Sequence, residues 1–458
     1  MYLEGKDMNN NDMKTSVGAR EKLPFWFGAA WSGRSVSVAV CMALMGYTAY
    51  YCTDVVGMNP TLVGILLMVS KLFDGFTDLV VGFVIDRTNT KLGKARPYEL
   101  TIILLWIFSV MLFATPSDFS QIGKAIWVFV MYTLVNSIWI TILYGNETAY
   151  LMRAVLLEKN KVKLTAVSGI YILLFSTVVA MVMPLAVKAA GTRPQNWVIM
   201  TVSLAIPCVL IGILRFLFIK EIKVESEPVK LNLKEGISAV GKNKYIWIFS
   251  IMYFCYQLAN NINCTAGAYY NQYVYGDIGV GTYVSMGMIL VPILLIFVPK
   301  VMERMGTRKT LQIGFLIMIV GLGLRMVGGA ALLTLVIGST LFMIGYVPIA
   351  FMLNVYLFEC MDYGYWKTGK KVEAMINSVT SFVAKIGSAL ASASVGLFMG
   401  MAGYDGSLAV QPNSAVTVIK LMYNVIPMII IVIALFVSLK YDLEKKLPDI
   451  RKEISESE

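Results

Sequence analysis

Two aspartates, Asp74 and Asp78, sit four residues apart inside an apolar run from Pro60 to Gly82. That spacing puts both carboxylates on one face of a helix, and Lys71, three residues before Asp74, falls on the same stripe. A charge at the centre of a membrane-spanning helix costs about 2.5–3.5 kcal/mol, so such a group normally faces protein or water and marks an ion or substrate path. Two negative charges and one positive on one face could hold a small cation. A Lys71–Asp74 salt bridge that merely neutralises a buried face is the competing reading.

The richest polar segment runs from Tyr253 to Gly276, where Gln257, Asn260 and Asn261 are spaced i, i+3, i+4 and Tyr256 precedes them. Amides and phenols lining a cavity suit a polyhydroxylated ligand, because each offers directional donors or acceptors and an aromatic ring can cover a sugar's apolar face. The other use of such residues is hydrogen bonding between helices, common in membranes. Later in the chain Ser378, Ser381, Lys385, Ser388 and Ser392 recur at spacings of three and four. Lys385 lies far from either end of its run, so it is expected to meet an acid, with Asp74 and Asp78 the natural partners. Two further charges stand in apolar runs: Arg34, about three turns in, and Glu147. Glu147 could pair with loop cations or bind an ion.

Membrane-spanning helices must position these residues. The 458-residue chain is 57% hydrophobic and 15% charged, with a mean hydropathy of +0.70, too apolar for a soluble globular chain. Runs near the ~20 residues that cross a bilayer recur along almost the whole length. They read as twelve spans, at 25–52, 60–84, 98–115, 124–152, 165–188, 196–219, 245–272, 279–299, 311–328, 331–358, 374–401 and 416–439. Only Gly328-Gly329 separates the ninth from the tenth. The segment Met1–Lys22 is polar and Asn-rich, so no cleavable signal peptide is expected.

Basic residues test that count. Inner segments collect Arg87, Lys91, Lys94 and Arg96, then Arg153 to Lys163, then a central group from Arg215 to Lys244, with further clusters after spans eight, ten and twelve. Outer loops offer only Lys124, Lys188 and Arg193. This is the positive-inside pattern for an even number of spans with both termini cytoplasmic, and it accounts for the formal charge of +11 without nucleic acid. Having no histidine excludes a histidine proton relay and most zinc or haem chemistry. The six cysteines lack CxxC or metal-ligand spacing and read as reduced packing residues.

The polar stretch at 220–244 divides the chain into an N-terminal tail (1–24), a six-helix bundle (25–219), a central loop (220–244), a second bundle (245–439) and a C-terminal tail (440–458). In the loop, Leu231, Leu233, Ile237 and Val240 could lie on the membrane surface or brace the bundles, or the loop is a solvated linker. Charged tight loops after spans two (Asp86, Arg87) and eight (Glu303, Arg304) echo each other. Paired six-helix repeats with a substrate site between them are the architecture of many secondary transporters.

Six segments, in order, carry a resemblance. Tyr50-Tyr51-Cys52-Thr53-Asp54-Val55-Val56-Gly57, Asp74-Gly75-Phe76-Thr77-Asp78, and Asp86-Arg87-Thr88 with Gly93-Lys94-Ala95-Arg96-Pro97 lie in the first half. Tyr256-Gln257-Leu258-Ala259-Asn260-Asn261, Asp362-Tyr363-Gly364-Tyr365-Trp366-Lys367-Thr368-Gly369, and Lys385-Ile386-Gly387-Ser388 lie in the second. Together they resemble the glycoside-pentoside-hexuronide:cation symporters of the major facilitator superfamily. The resemblance implies an all-α membrane protein of twelve transmembrane helices in two six-helix bundles, the major facilitator fold, in a bacterial inner membrane. It implies Asp74 and Asp78 as cation ligands, Lys71 as their basic neighbour and Lys385 as the charge near the cavity. Members that carry melibiose place acids in helices one and four at the sugar site, whereas this chain has Arg34 and, as the best match in helix four, Asn146 followed by Tyr150.

The expected function is secondary active import of a sugar or glycoside by alternating access, coupled to Na+ or H+. Arg34 favours an anionic substrate such as a uronide, because a guanidinium pairs bidentately with a carboxylate. The expected substrate-binding set is Arg34, Asn146, Tyr150, Tyr256, Gln257, Asn260, Asn261 and Lys385, with Asp86, Arg87, Arg96, Asp362 and Lys367 at inner gating loops. No enzyme activity, resident cofactor or metal beyond a transported monovalent cation is expected, and the chain is expected to act as a monomer. A lipid transporter of the same fold and a non-transporting membrane sensor are the alternatives.

Overall fold

Backbone groups in hydrocarbon must find hydrogen-bond partners within the chain, which leaves helices as the economical solution for so apolar a sequence. The computed structural model describes residues 23–88, 90, 92–221, 240–241, 243–329, 331–369 and 373–457, and all regular elements among them are helical. Most of the expected N-terminal tail and central loop, and the side chains of Asp86 and Arg87, lie outside the described residues.

Among the described residues, eleven helical segments are long and apolar enough to cross a membrane. They are α1 (Phe25–Val55), α2 (Pro60–Arg87), α3 (Arg96–Phe113), α4 (Gln121–Ala154), α5 (Glu158–Ala190) and α6 (Pro194–Phe218), then, beyond α7 (Lys244–Val274), α8 (Ile278–Met305), α9 (Thr307–Val327), α10 (Leu332–Thr368), α11 (Glu373–Met401) and α12 (Asn413–Ser438). The remaining one, α7, has 31 residues and so is about 46 Å long, enough to span. Its amides and tyrosines keep it out of the apolar set. Each of the twelve expected spans corresponds to one of these helices. A turn at Gly328-Gly329, with Gly329 at φ +58°, separates α9 from α10.

The chain forms two compact units. The first comprises Met1–Tyr51, Phe73–Val179 and Ala190–Val229; the second comprises Cys52–Leu72, Ala180–Ala189 and Lys230–Glu458. Helix α2 thus gives its first part to the second unit. In the first unit Trp106 donates to Ser37 Oγ at 2.9 Å, and Tyr51, Phe113 and Trp197 pack ring against ring. In the second, α7, α9, α10 and α12 surround a core that includes Phe249, Phe315, Phe342 and Tyr356.

The two units repeat one device. In the first, Glu221 accepts from the backbone N–H groups of Lys94, Ala95 and Arg96, and Arg96 donates from Nε and Nη2 to Phe216 O. In the second, Glu444 accepts from Thr307 and Arg308 N–H, and Arg308 donates to Leu439 O. In both, the carboxylate follows the accepting carbonyl by five residues, and it lies against a glycine with positive φ, Gly93 (+117°) or Gly306 (+84°), where a Cβ would strike it. A helix start that needs hydrogen-bond acceptors is capped from the end of the sixth helix of each half. This places the sequence echo on a shared hydrogen-bond pattern.

The segment expected as a C-terminal tail forms a helix, α13 (Leu443–Ser457), packed on α10. Leu443, Leu447 and Ile450 enter the second unit's core. Outside the spans, Asp442 accepts from Tyr245 Oη and Lys446 Nζ, both at 2.7 Å. The Lys446 ammonium, and then the Tyr245 hydroxyl, hold its carboxyl down at about 2. A depressed acid contributes stability above the ordinary carboxylate range and loses it only as pH falls toward that value, so this link is constant across neutral pH.

Glu221→Ala and Glu444→Ala each leave at least two backbone donors without an acceptor, worth about 1–3 kcal/mol apiece where water is excluded. Both variants are expected to lower the unfolding midpoint of the purified protein by several degrees. Glu→Gln, which keeps one acceptor oxygen, is expected to lose less.

Candidate functional site

The Asp74/Asp78 pair is carried by α2, a continuous helix. Thr141 of α4 donates to Asp74 Oδ1 at 2.8 Å, and Thr77 donates to the Asp74 carbonyl at 3.0 Å. Asp74 is half-buried and Asp78 exposed. The Asp74 carboxylate with the Thr141 hydroxyl, and Asp78 one turn along the helix, are suitable chemistry for a hard monovalent cation or a proton. Lys71, earlier on the same helix, donates to Ser392 Oγ at 2.9 Å and to Ser388 O at 3.4 Å, both on α11.

In the second unit α7 presents its amides as a continuous row. Gln257 Nε2 donates to Tyr253 Oη at 3.0 Å, Asn261 Nδ2 donates to Gln257 O at 2.8 Å, and Ser388 Oγ donates to Asn261 Oδ1 at 3.1 Å. Tyr253 stacks on Phe249, with centroids 5.7 Å apart, and Tyr256 lies buried against Tyr346 at 5.5 Å. Gln257, Asn260 and Asn261 are half-buried, as is Lys385 one turn before Ser388 on α11. The row therefore offers partly accessible amides beside aromatic rings.

Arg34, Asn146 and Tyr150 go elsewhere, into a closed ionic cluster of the first unit. Arg34 pairs with Glu147, approaches Glu99 at 3.5 Å and donates to Leu143 O. Arg215 of α6 grips Glu147 with two N–H groups at 2.6 and 3.0 Å, donates to Trp31 O and lies 3.7 Å above the Trp31 ring. Asn146 Nδ2 donates to Glu99 Oε1 at 2.8 Å and to Ala95 O, and Tyr150 donates to Ile219 O. Arg34, Glu99 and Arg215 are all but fully buried, while the Glu147 side chain is 31% exposed. Two arginines and two glutamates balance. This geometry corrects two expectations: the Arg34 guanidinium is engaged by carboxylates of its own unit, and the partners of Glu147 are span arginines rather than loop cations.

Of the residues expected at inner gating loops, Arg96 opens α3, whereas Asp362 and Lys367 lie within α10 rather than in a loop. Arg96 anchors the start of α3, as described above. Asp362 accepts from Arg451 of α13 at 2.8–2.9 Å, and the Lys367 ammonium lies 5.7 Å from the Tyr363 ring. Trp366 of the same motif donates to Glu453. Asp362 and Trp366 thus clamp α13 onto α10.

Sequence reasoning missed Glu99 and counted Arg215 only among the inner basic residues, although both stand within or beside apolar runs, where the argument applied to Arg34 would have singled them out. It also passed over Asp54, which is buried and accepts hydroxyls from Thr53, Tyr273 and Tyr404. A groove of about 450 Å³ between α3 and α6 is lined by Ile103, Trp106, Val110, Ile206 and other apolar side chains, a surface suited to acyl chains and without a polar group to orient a sugar.

In fold the chain is similar to the nucleoside transporter NupG, with a TM-score of 0.62 at 15% identity over 90% of this chain and all of that one. Among the described residues, twelve long helices, several with charged or amide-bearing faces, give the major facilitator fold. The chain belongs to the MFS/sugar transport protein family, which it matches over residues 32–445. Among relatives, it is 27% identical to the isoprimeverose transporter of Lactiplantibacillus pentosus, over 88% of this chain and 85% of that protein. It is 24% identical to the glucuronide carrier protein homolog of Escherichia coli (strain K12), over 91% and 92%.

Removing one partner of a buried ionic cluster costs about 3–5 kcal/mol, because the opposite charge is left unpaired. Glu99→Gln is expected to reduce thermal stability sharply and lower the amount of protein in membranes. Adding Arg34→Met, which restores neutrality, is expected to recover a large part of the loss in the same unfolding assay.

Proposed function

We propose that this chain imports a neutral sugar or glycoside, coupled to Na+ or H+ at Asp74 and Asp78, by alternating access. The observation that carries a sugar over a lipid is the amide and phenol row of α7, since directional donors and acceptors beside aromatic rings match hydroxyls and ring faces. Relatives named for isoprimeverose and glucuronide transport support carbohydrate as the cargo class. The choice of a neutral cargo follows from Arg34, whose charge is balanced by Glu99 and Glu147. Lys385, one turn before Ser388 on α11, is a cationic side chain that would suit an acidic sugar, and the uronide reading rests on it.

Coupling requires that cation and sugar each bind one conformation better than the other, so that each tightens the other by the same factor. Carboxylates serve both ions, and the cargo must supply hydroxyls to the α7 amides.

The test is uptake of labelled neutral glycosides, pentosides and uronides into transport-deficient cells, with a sodium gradient at fixed pH and with a proton gradient at fixed sodium. Stimulated uptake of a neutral glycoside is expected under one gradient. Asp78→Asn is expected to reduce gradient-driven accumulation at least about tenfold, the size of loss that a differential binding term near 1.4 kcal/mol produces. If uronides alone move, Lys385 has the orienting role. If no sugar moves while controls succeed, the sugar reading is wrong.

A further inference from the structure

Lys71 and the α7 amides are joined through one residue of α11. Ser388 presents its carbonyl to the Lys71 ammonium at 3.4 Å and its hydroxyl to Asn261 Oδ1 at 3.1 Å. Ser392, one turn on, takes the shorter Lys71 bond at 2.9 Å and donates back to Ser388 O at 3.3 Å. Asn261 in turn bonds Gln257 O, and Gln257 bonds the Tyr253 hydroxyl. Lys71, Ser388, Ser392, Asn261, Gln257 and Tyr253 all lie in the second unit.

Small residues make these approaches possible. A Cβ on Gly64 of α2 would lie 2.9 Å from Gly396 Cα, and one on Gly387 would lie 3.2 Å from Gln257 Cβ. Backbones brought this close let short side chains such as serine bridge helices that would otherwise need long, mobile ones.

Resting on the sugar-and-cation reading above, we propose that Ser388 is a positioning residue for coupling: its two polar atoms tie Lys71, three residues before Asp74 on α2, to the amide row that takes the sugar. The donor pattern is consistent along the chain. The Ser388 hydroxyl occupies Asn261 Oδ1, which directs Nδ2 to Gln257 O and fixes the amide plane. A change in what Lys71 faces along α2 shifts its hold on Ser388 and Ser392, and Ser388 passes that shift to Asn261. Coupling carried this way is a free energy between two sites through a contiguous network, and it is reciprocal.

The experiment measures cation affinity of the purified protein with and without saturating sugar, using Na+ and the transported glycoside of the uptake panel, or pH titration where the proton couples. Ser388→Ala is expected to cut the factor by which sugar tightens the cation by about fivefold, a typical size for such coupling. Sugar affinity without cation is expected to stay within about twofold, since the α7 amides remain, while sugar affinity at saturating cation falls by the same roughly fivefold factor. Ser388→Thr keeps the hydroxyl and is expected to restore the factor. Ser392→Ala is expected to move it in the same direction as Ser388→Ala, through its bonds to Lys71 and to the Ser388 carbonyl, and serves if Ser388→Ala proves unstable by thermal unfolding. A wild-type factor in both alanine variants overturns the proposal, as does equal loss of both affinities in Ser388→Ala and Ser388→Thr. A wild-type protein in which sugar and cation ignore each other overturns the coupling reading itself, and this proposal with it.

Discussion

A charge taken into an apolar bundle must find its opposite inside the protein, because neither lipid nor a distant interface can stabilise it. In the first unit that constraint draws α1, α3, α4 and α6 together around Arg34, Glu99, Glu147 and Arg215. Each helix contributes one member, so the cluster sets both the rotation of each helix and its depth against its neighbours. Trp31 and Asn146 donate to the Glu147 and Glu99 carboxylates, and Tyr150 packs on the Trp31 ring. Only Glu147 keeps appreciable exposure. The polar face of α7 in the second unit follows another course: it carries neutral amides, whose donors and acceptors can be shared with a cargo at far smaller desolvation cost.

Most of the fold was legible because length and hydropathy are properties of single segments. The positions of twelve helices, including the short break at Gly328-Gly329, could be read from runs of apolar residues and punctuation. The role of Arg34 could not, since it depends on which charges on other helices come within reach. Its nearest counter-charges, Glu99 and Glu147, are separated from it in sequence by 65 and 113 residues. Judged alone, an intramembrane arginine points to an anionic ligand; beside two glutamates it points to structure. The C-terminal helix escaped for a related reason. Its charged face resembles a solvated tail, and its docking rests on the spacing of Leu443, Leu447 and Ile450, too short a pattern to stand out.

The internal repeat was visible as a faint echo of charged loops, and its physical content is a shared cap. Glu221 and Glu444 stand in equivalent places at the ends of α6 and α12, each beside a glycine whose positive φ opens room for the carboxylate. Sequence similarity between the halves is low at these loops because only three features are required: the glycine, the acid five residues after the accepting carbonyl, and the arginine that reaches that carbonyl. Everything between them is free to change. A hydrogen-bond pattern can therefore persist where residue identity does not.

The arrangement of α2 gives the candidate coupling its physical basis. Lys71 and Asp74 are three residues apart on one continuous helix, about 4.5 Å of axial rise, and Asp78 lies one further turn along. At such separations a change in charge is felt strongly wherever water is scarce, because the effective dielectric falls well below that of bulk solvent. On the proposed coupling, filling the aspartate pair with a cation would change the potential felt three residues back along the helix at the Lys71 ammonium. That ammonium then relies more on Ser392 and the Ser388 carbonyl, and the Ser388 hydroxyl is bound to the amide row. The proposed message is a redistribution of hydrogen-bond strength along these short links. Serine serves this purpose better than a longer polar residue, since its single rotatable bond leaves little slack between the two groups it joins.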